Sequence, residues 1–337
     1  MMYPKGIPYK LLVSSGILFI ALLMGCEEPK DDPDEIIPPI DTTKTDTFPV
    51  LGHDGPYHAD SIYYGREKYV EYHAGNLPII LSAPHGGWVV PDEIPDRTGG
   101  TTVTDANTYQ LTKVVMDSIA ARFGARPHVI LCQLKRIKLD ANRDSVEAAE
   151  GDKYALRSWQ EYHFYLDAAK KKISDEFGSG IVFDMHGHGA NPDGYYDLRS
   201  WLGYLLKGSE LDQSDAELNS DNYKNKTSIR ALADSTTFSF IELLRGKNSF
   251  GSLMDSLGYK CVPSVNDVSP NGMRYFSGGY ITKRHGSVNG GIISAIQIEA
   301  PKPGIRENQQ TWSKFASALT TAIDQYYSIH IGRSMKR

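Results

Sequence analysis

The chain has 337 residues, with 36 Lys and Arg against 41 Asp and Glu, 40% hydrophobic residues and 3 Cys. That length supports one large domain or two modest ones with enough chain to bury a core. A formal charge of -5, with no clustered cationic excess of the kind that phosphate neutralisation needs, argues against a nucleic-acid partner, and 3 Cys cannot build a disulfide scaffold.

Taken in chain order, the first element is an address. Lys5 and Lys10 precede an apolar run from Leu11 to Met24, long enough for a signal-peptide core and short for a membrane span of about 20 residues. The run ends Leu23-Met24-Gly25-Cys26, which resembles a bacterial lipobox. That resemblance implies removal of residues 1–25 and lipidation of Cys26, which would hold the mature protein on a membrane; the alternative is an uncleaved anchor helix with an incidental Cys. Residues 26–50, rich in Asp, Glu, Pro and Thr, bury too little apolar surface to order themselves and are expected to form a disordered acidic linker. Its cluster Glu27, Glu28, Asp31, Asp32, Asp34 and Glu35 resembles the export signals of surface lipoproteins in some diderm bacteria, and equally suits a spacer repelled by the membrane. The expected location is the bacterial cell envelope, lipid-anchored.

From 51 to 337, apolar runs alternate with amphipathic segments, the signature of a single α/β domain with a mostly parallel or mixed central sheet flanked by helices. Strands are expected over 77–83, 128–134, 180–185 and 291–299, and helices over 105–123, 153–177, 228–245 and 310–327. The polar stretch 207–227 reads as an insertion or mobile loop. Cys132 and Cys261 read as core thiols or as one disulfide.

The chemistry gathers at strand ends, where open α/β sheets bind ligands. One strand runs into Ser82-Ala83-Pro84-His85-Gly86-Gly87, whose glycines let backbone pass close to a ligand. Another reads Phe183-Asp184-Met185-His186-Gly187-His188, which places Asp184, His186 and His188 on one face. A third ends Gln297-Ile298-Glu299-Ala300-Pro301. Two neutral imidazoles and a carboxylate at one sheet edge are what an open zinc site needs, whereas any one of them alone reads as a solvated or hydrogen-bonded strand end. His53, His58, His73, His128, His163 and His330 lack that setting and read as structural or solvated. Between the first two motifs, Lys135-Arg136-Ile137-Lys138-Leu139-Asp140-Ala141-Asn142-Arg143 is either a solvated cationic face or supplies an Arg that recognises a carboxylate or an oxyanion, with Asp140 and Asn142 orienting the guanidinium.

Pro84-His85-Gly86-Gly87, Asp140-Ala141-Asn142-Arg143, Asp184-Met185-His186-Gly187, Phe276-Ser277-Gly278-Gly279-Tyr280-Ile281-Thr282 and Gln297-Ile298-Glu299 together resemble the N-formylglutamate amidohydrolase family, in order and spacing, across about residues 78–305. The resemblance implies a zinc-carboxypeptidase-like fold, one zinc ion and hydrolysis of an amide in a small N-acyl amino acid. By position it implies His85 and His186 as metal ligands, Glu299 as general base, and Arg143, with Arg136 as backup, as the carboxylate or oxyanion contact. Trp88 stands where zinc carboxypeptidases carry a Glu ligand, so the third ligand comes from elsewhere. Asp105 matches an acidic position of the family, with Asp92, Glu93 and His188 as rivals; Asp105 equally suits a helix N-cap. Asn142, Tyr280, Arg284 and His188 are the further substrate-binding candidates, and Asp184 is expected to orient a ligand imidazole.

The envelope address and an insertion around Asn191–Asp197, which includes Tyr195 and Tyr196, depart from the cytoplasmic enzymes of histidine catabolism, so the substrate is expected to differ. Competing classes are a zinc peptidase acting on peptides or peptidoglycan stems and a substrate-binding lipoprotein without catalysis. No Gly-x-Ser-x-Gly elbow is present for serine catalysis.

Overall fold

The run Ile79-Ile80-Leu81-Ser82-Ala83 is wholly buried and lies at the centre of one sheet, because apolar side chains on alternate positions serve both of its faces. The structure, a computed structural model, describes residues 47–332 and Met335. The predicted signal peptide, Cys26 and the acidic cluster lie outside the described residues. From Phe48 onward the chain forms one unit.

Its elements in chain order are β1 (Ile62–Tyr64), β2 (Val70–His73), β3 (Ile79–Ala83), α1 (Thr108–Phe123), β4 (His128–Cys132), α2 (Ser145–Ala149), α3 (Lys153–Phe177), β5 (Gly180–His188) and β6 (Ser200–Gly203). Then follow α4 (Gly208–Leu211), α5 (Asp215–Leu218), α6 (Asp221–Lys224), α7 (Arg230–Ser235), α8 (Phe240–Arg245), α9 (Phe250–Ser256), β7 (Cys261–Val262), α10 (Tyr280–His285), β8 (Ile293–Pro301) and α11 (Gln309–Ile331). The sheet order is β1-β2-β4-β3-β5-β8-β6-β7. Its centre, β4-β3-β5-β8, is parallel, while β1, β2 and β6 run antiparallel to their inner neighbours. The α/β class and the mixed sheet flanked by helices are as the sequence predicts.

Each strand divides its side chains between two cores. Leu81, Leu131, Phe183 and Ile298 join α1 and α11 on one side, and Ile80, Ile130, Val182 and Ala295 join α3 on the other. The α3 side changes character along the parallel strands. It is apolar at their N-terminal halves and becomes Ser82, Asp184, His186, His188, Gln297 and Glu299 toward their C-terminal ends, all buried. That switch of composition on a single face is what creates the site.

The helices begin and end where capping chemistry dictates. Asp152 caps α3 by accepting from the amides of Tyr154 and Ala155, and Gly178, at φ 72°, ends it. The helix expected over 228–245 is two, α7 and α8. The Thr236 backbone is extended after Ser235, and the Ser239 side chain starts the second helix by accepting from Glu242 N. The 207–227 insertion is three single-turn helices rather than a loose loop, because Leu211 and Leu218 are buried in the core. Cys132 and Cys261 are both buried and free, on opposite sides of the sheet, so no bridge joins them.

Candidate metal centre and active site

Three buried side chains converge at the C-terminal edge of β3 and β5: His85, Asp105 and His186, whose candidate ligand atoms all lie within 4.8 Å of one another. His85 follows β3 immediately after Pro84. The glycines behind it serve packing rather than ligand approach. A Cβ on Gly86 would collide with Tyr109 N at the start of α1, and one on Gly87 with the Gln133 backbone.

Asp105 is held just before α1. Its backbone amide donates to His85 O at 3.2 Å, and its carbonyl accepts from Thr108 N and from Thr108 Oγ1. It is not the N-cap: Asn107 occupies that position without a side-chain cap bond. The Asp105 carboxylate turns inward instead, with Oδ2 3.2 Å from His186 Nδ1 and 3.4 Å from His85 Nδ1, and it accepts from Gly187 N at 3.2 Å.

The far side of each imidazole fixes its tautomer. His85 Nε2 is 2.6 Å from Asp140 Oδ1, and His186 Nε2 is 2.9 Å from Asp184 Oδ2. A carboxylate can only accept, so each Nε2 carries a proton; His85 Nδ1 is left with its lone pair toward the centre, while His186 Nδ1, which also faces a carboxylate, donates to Asp105 and offers a lone pair only when a cation displaces that proton. Both aspartates are themselves fixed. Arg136 Nε and Nη2 donate to Asp140 Oδ2 at 2.9 and 2.8 Å, and Ser82 Oγ donates to Asp184 Oδ1 at 2.5 Å. His85 Nδ1 is buried with no hydrogen-bond partner, an orphaned lone pair aimed at Asp105. This donor set fits a divalent cation bound through two nitrogens and one oxygen.

The electrostatics agree. Burial opposes charge on His186, yet Asp184 and Asp105 outweigh it and raise the imidazole well above its ordinary value. Burial likewise opposes the Asp105 charge, and His186 and His85 overcome it, holding the carboxyl far below the usual range. The negative potential that draws a proton to His186 equally draws a metal ion.

Glu299 lies on β8 in register with His186, so both project from the same face. It is buried, and burial together with the Asp105 charge pushes its carboxyl up to about 7 against the pull of His186, His85 and Arg306. Gln297 Nε2 donates to Glu299 Oε1 at 2.9 Å. A carboxyl poised near neutrality beside a cation site is equipped to take and return a proton.

These residues line a cavity of about 420 Å³ that also meets Asn142, Arg143, His188 and Gly279. A second cavity, of about 300 Å³, lies between Arg66, Arg157 and Phe164. It holds none of the three converging ligands, and Arg157 there is already paired with Glu161 at 2.6 Å.

Other sequence candidates fall into distinct places. Asp140 orients Arg136 rather than Arg143, and with it His85; Arg143 instead donates from Nε to Glu147 at 2.8 Å and from Nη1 to Asn142 O at 2.9 Å. Asn142 places Nδ2 3.3 Å from His186 Nε2 and accepts from Ile281 N at 2.8 Å. His188 stacks on Trp201 with centroids 3.8 Å apart and bonds Arg199 O at 3.0 Å, outside the ligand cluster. Glu93 pairs with Arg66 at 2.5 Å, and neither it nor Asp92 belongs to the cluster. Tyr280 and Arg284 do not line the cavity; Arg284 lies over Trp159 and 3.4 Å from Asp167.

Two supporting residues carry no signal in the sequence. Buried Arg306 donates to His188 O at 2.7 Å, to Ala300 O at 2.9 Å and to Ala106 O, joining three wall segments. It follows a Pro-Gly loop with no spacing to mark it. Ser82 supports Asp184 from the neighbouring strand, a contact that only the β3–β5 register creates.

No family model matches the chain, and no curated protein matches it. Solved structures similar to it include a gene product of Agrobacterium tumefaciens, at 10% identity and TM-score 0.47, covering 77% of this chain and 95% of the other. A bacteriophage poly-gamma-glutamate hydrolase is similar at 11% identity and TM-score 0.34, covering 77% of this chain and 89% of that one. The N-formylglutamate amidohydrolase of Ralstonia eutropha, of the family that the sequence motifs resemble, is similar at 12% identity and TM-score 0.48, covering 81% of this chain and 99% of its own.

Proposed function

We propose that this protein is a zinc-dependent hydrolase that cleaves the amide bond of a small N-acyl amino acid. The observation that carries the proposal is the convergence of His85 Nδ1, His186 Nδ1 and Asp105 Oδ2, with Glu299 in register beside them. Zinc bound by those three residues supplies Lewis-acid polarisation of a carbonyl and of water. Glu299 accepts the proton released by the attacking water and returns it to the leaving nitrogen; its bond from Gln297 fixes one carboxylate oxygen for that task. Arg143, at the cavity wall, binds the substrate carboxylate or the developing oxyanion, and Asn142 and His188 line the approach. Arg136 is committed to Asp140 and supports the ligand His85 rather than the substrate.

A peptide substrate is the second reading. Phe276 in the cavity wall is exposed, and exposed apolar side chains stand on the two chain segments that continue from the wall, Tyr195, Tyr196 and Leu198 after Gly189 and Met273 before Arg274. Apolar surface of that kind suits side chains beyond a single residue. Lipidation of Cys26, which would place the domain in the cell envelope, belongs to the same proposal.

The test is metal content and hydrolysis together. The full chain, purified with zinc, is assayed against N-acyl amino acids and a peptide panel. About one zinc per chain and hydrolysis of one class support the proposal and choose between the readings. A folded chain that binds no zinc and cleaves neither class refutes it and leaves a substrate-binding protein.

A further inference from the structure

His163 and His285 are buried outside the cavity wall, and no step of the proposed reaction uses them. Their wiring can be read from their partners. His163 Nε2 lies 3.1 Å from Ala141 O, and a carbonyl only accepts, so this nitrogen carries a proton. His163 Nδ1 lies 2.8 Å from His285 Nε2, with the rings stacked 8° from parallel. In the neutral ring, Nδ1 is then the acceptor and His285 Nε2–H the donor. On the far side, His285 Nδ1 is 3.3 Å from Asp167 Oδ1. One added proton on the pair gives every ring nitrogen a partner, and the bond to Ala141 O persists in either state.

Ala141 is the centre of the segment that supports the candidate metal site. Asp140 before it holds His85, and Asn142 after it contacts His186 and Ile281 N. One helical turn before His163, on the same face of α3, Trp159 Nε1 donates to Arg143 O at 2.9 Å. Two donors at i and i+4 thus grip two carbonyls of one four-residue segment, while His285 ties the grip to α10.

We propose that Trp159 and His163, braced by His285, are positioning residues that set segment 140–143 and through it the orientation of His85. The inference rests on the metal-site reading only in part, because the His85–Asp140 bond exists without an ion.

The experiment uses the full chain as His163→Phe, His163→Gln and Trp159→Phe. The Gln variant keeps a side-chain N–H for Ala141 O, and Trp159→Phe keeps the packing while removing the bond to Arg143 O. Zinc affinity is measured by chelator competition, and the His85 Nε2–H proton is followed by low-field NMR, assigned with Asp140→Asn. His163→Phe is expected to weaken zinc binding by about tenfold, in the range of supporting-shell effects, and to shift or broaden the His85 resonance. Trp159→Phe should do both to a smaller degree, and His163→Gln should restore both at a similar melting temperature.

Folded His163→Phe and Trp159→Phe proteins with parental zinc affinity and an unmoved His85 resonance overturn the proposal. Equal loss in His163→Gln and His163→Phe also overturns it, since packing and not the bond would then matter. If the parent binds no zinc, the catalytic reading fails on its own, and the His85 resonance still decides this one.

Discussion

The two buried histidine pairs of this protein use the same residues for opposite purposes. His85 and His186 meet at 72° with centroids 4.8 Å apart and both turn Nδ1 to Asp105, whereas His163 and His285 stack and hydrogen-bond to each other directly. The difference lies in what stands behind them. The first pair rests on Asp140 and Asp184, both with no exposed surface, and the second on a backbone carbonyl and on Asp167, whose side chain is 49% exposed. A buried carboxylate is unscreened, and against burial Asp184 and Asp105 hold His186 well above its ordinary value, while a half-exposed carboxylate is weakened by water. Burial accordingly prevails at His163 and His285 and lowers both. One pair forms a candidate cation site, and the other is proposed as a strut.

The comparison breaks most completely when a ligand is removed. His186→Ala leaves Asp105 and Asp184 without their shared partner, and metal content is expected to fall to background while the chain stays folded by circular dichroism. Retention of a full equivalent of metal would mean that the convergence is only a hydrogen-bonded cluster. Next in size is Glu299→Gln, which keeps shape and metal but cannot carry the proton; turnover should fall by about 100- to 10,000-fold at unchanged metal stoichiometry. A variant as active as the parent assigns the proton transfer elsewhere.

A pair of milder variants sharpens the contrast between buried and exposed carboxylates. Asp140→Asn removes the charge behind His85 and should weaken metal binding by about 10- to 100-fold. Asp167→Asn, behind His285, should leave it within about twofold, because solvent already screens that charge. Equal effects of the two, measured by the same chelator competition, would show that burial of the carboxylate is not what separates the pairs.

Much of this arrangement is legible in the sequence. The strand ends at His85, His186 and Glu299 announce themselves because an apolar run that ends in His or Glu next to Gly or Pro has few uses, and β5 continues far enough to keep Asp184 and His186 on one face. The third candidate ligand, Asp105, is reached only through the family resemblance, because an acid before a helix looks the same whether it caps or turns inward. Its local signal was misleading in another respect, since the helix begins after a left-handed Asn107. Asp140 reads as orienting an Arg of its own segment without saying which; the turn that follows β4 brings Arg136 to the carboxylate, four residues before it. His163 reads as structural or solvated, and its relation to His285 is not legible, because it spans 122 positions, a distance that no periodicity encodes.

A lone buried histidine completes the comparison with the smallest effect. His128 has neither a carboxylate nor an imidazole partner. Gly75 N donates to its Nδ1 at 3.1 Å and Tyr72 Oη lies 2.9 Å from the same atom, so the proton sits on Nε2, which is buried without a partner. Burial, with Lys172 adding to it, pushes this imidazole down to about 3, so the folded protein keeps it neutral at any ordinary pH. The unfolded chain takes up that proton near pH 6.5, and between there and about pH 3 it holds one proton more than the folded chain at this residue. The stability that His128 contributes is therefore present above pH 6.5 and is lost as the pH falls, by about 1.4 kcal/mol per unit through that window. His128→Asn places an amide oxygen where Nδ1 accepted its bonds and has no proton to gain. Denaturant unfolding from pH 7 to 4 should then show a shallower loss of stability on acidification in the variant than in the parent. Parallel curves would mean that the site admits the charged ring, and that burial alone does not fix the state of a histidine in this core.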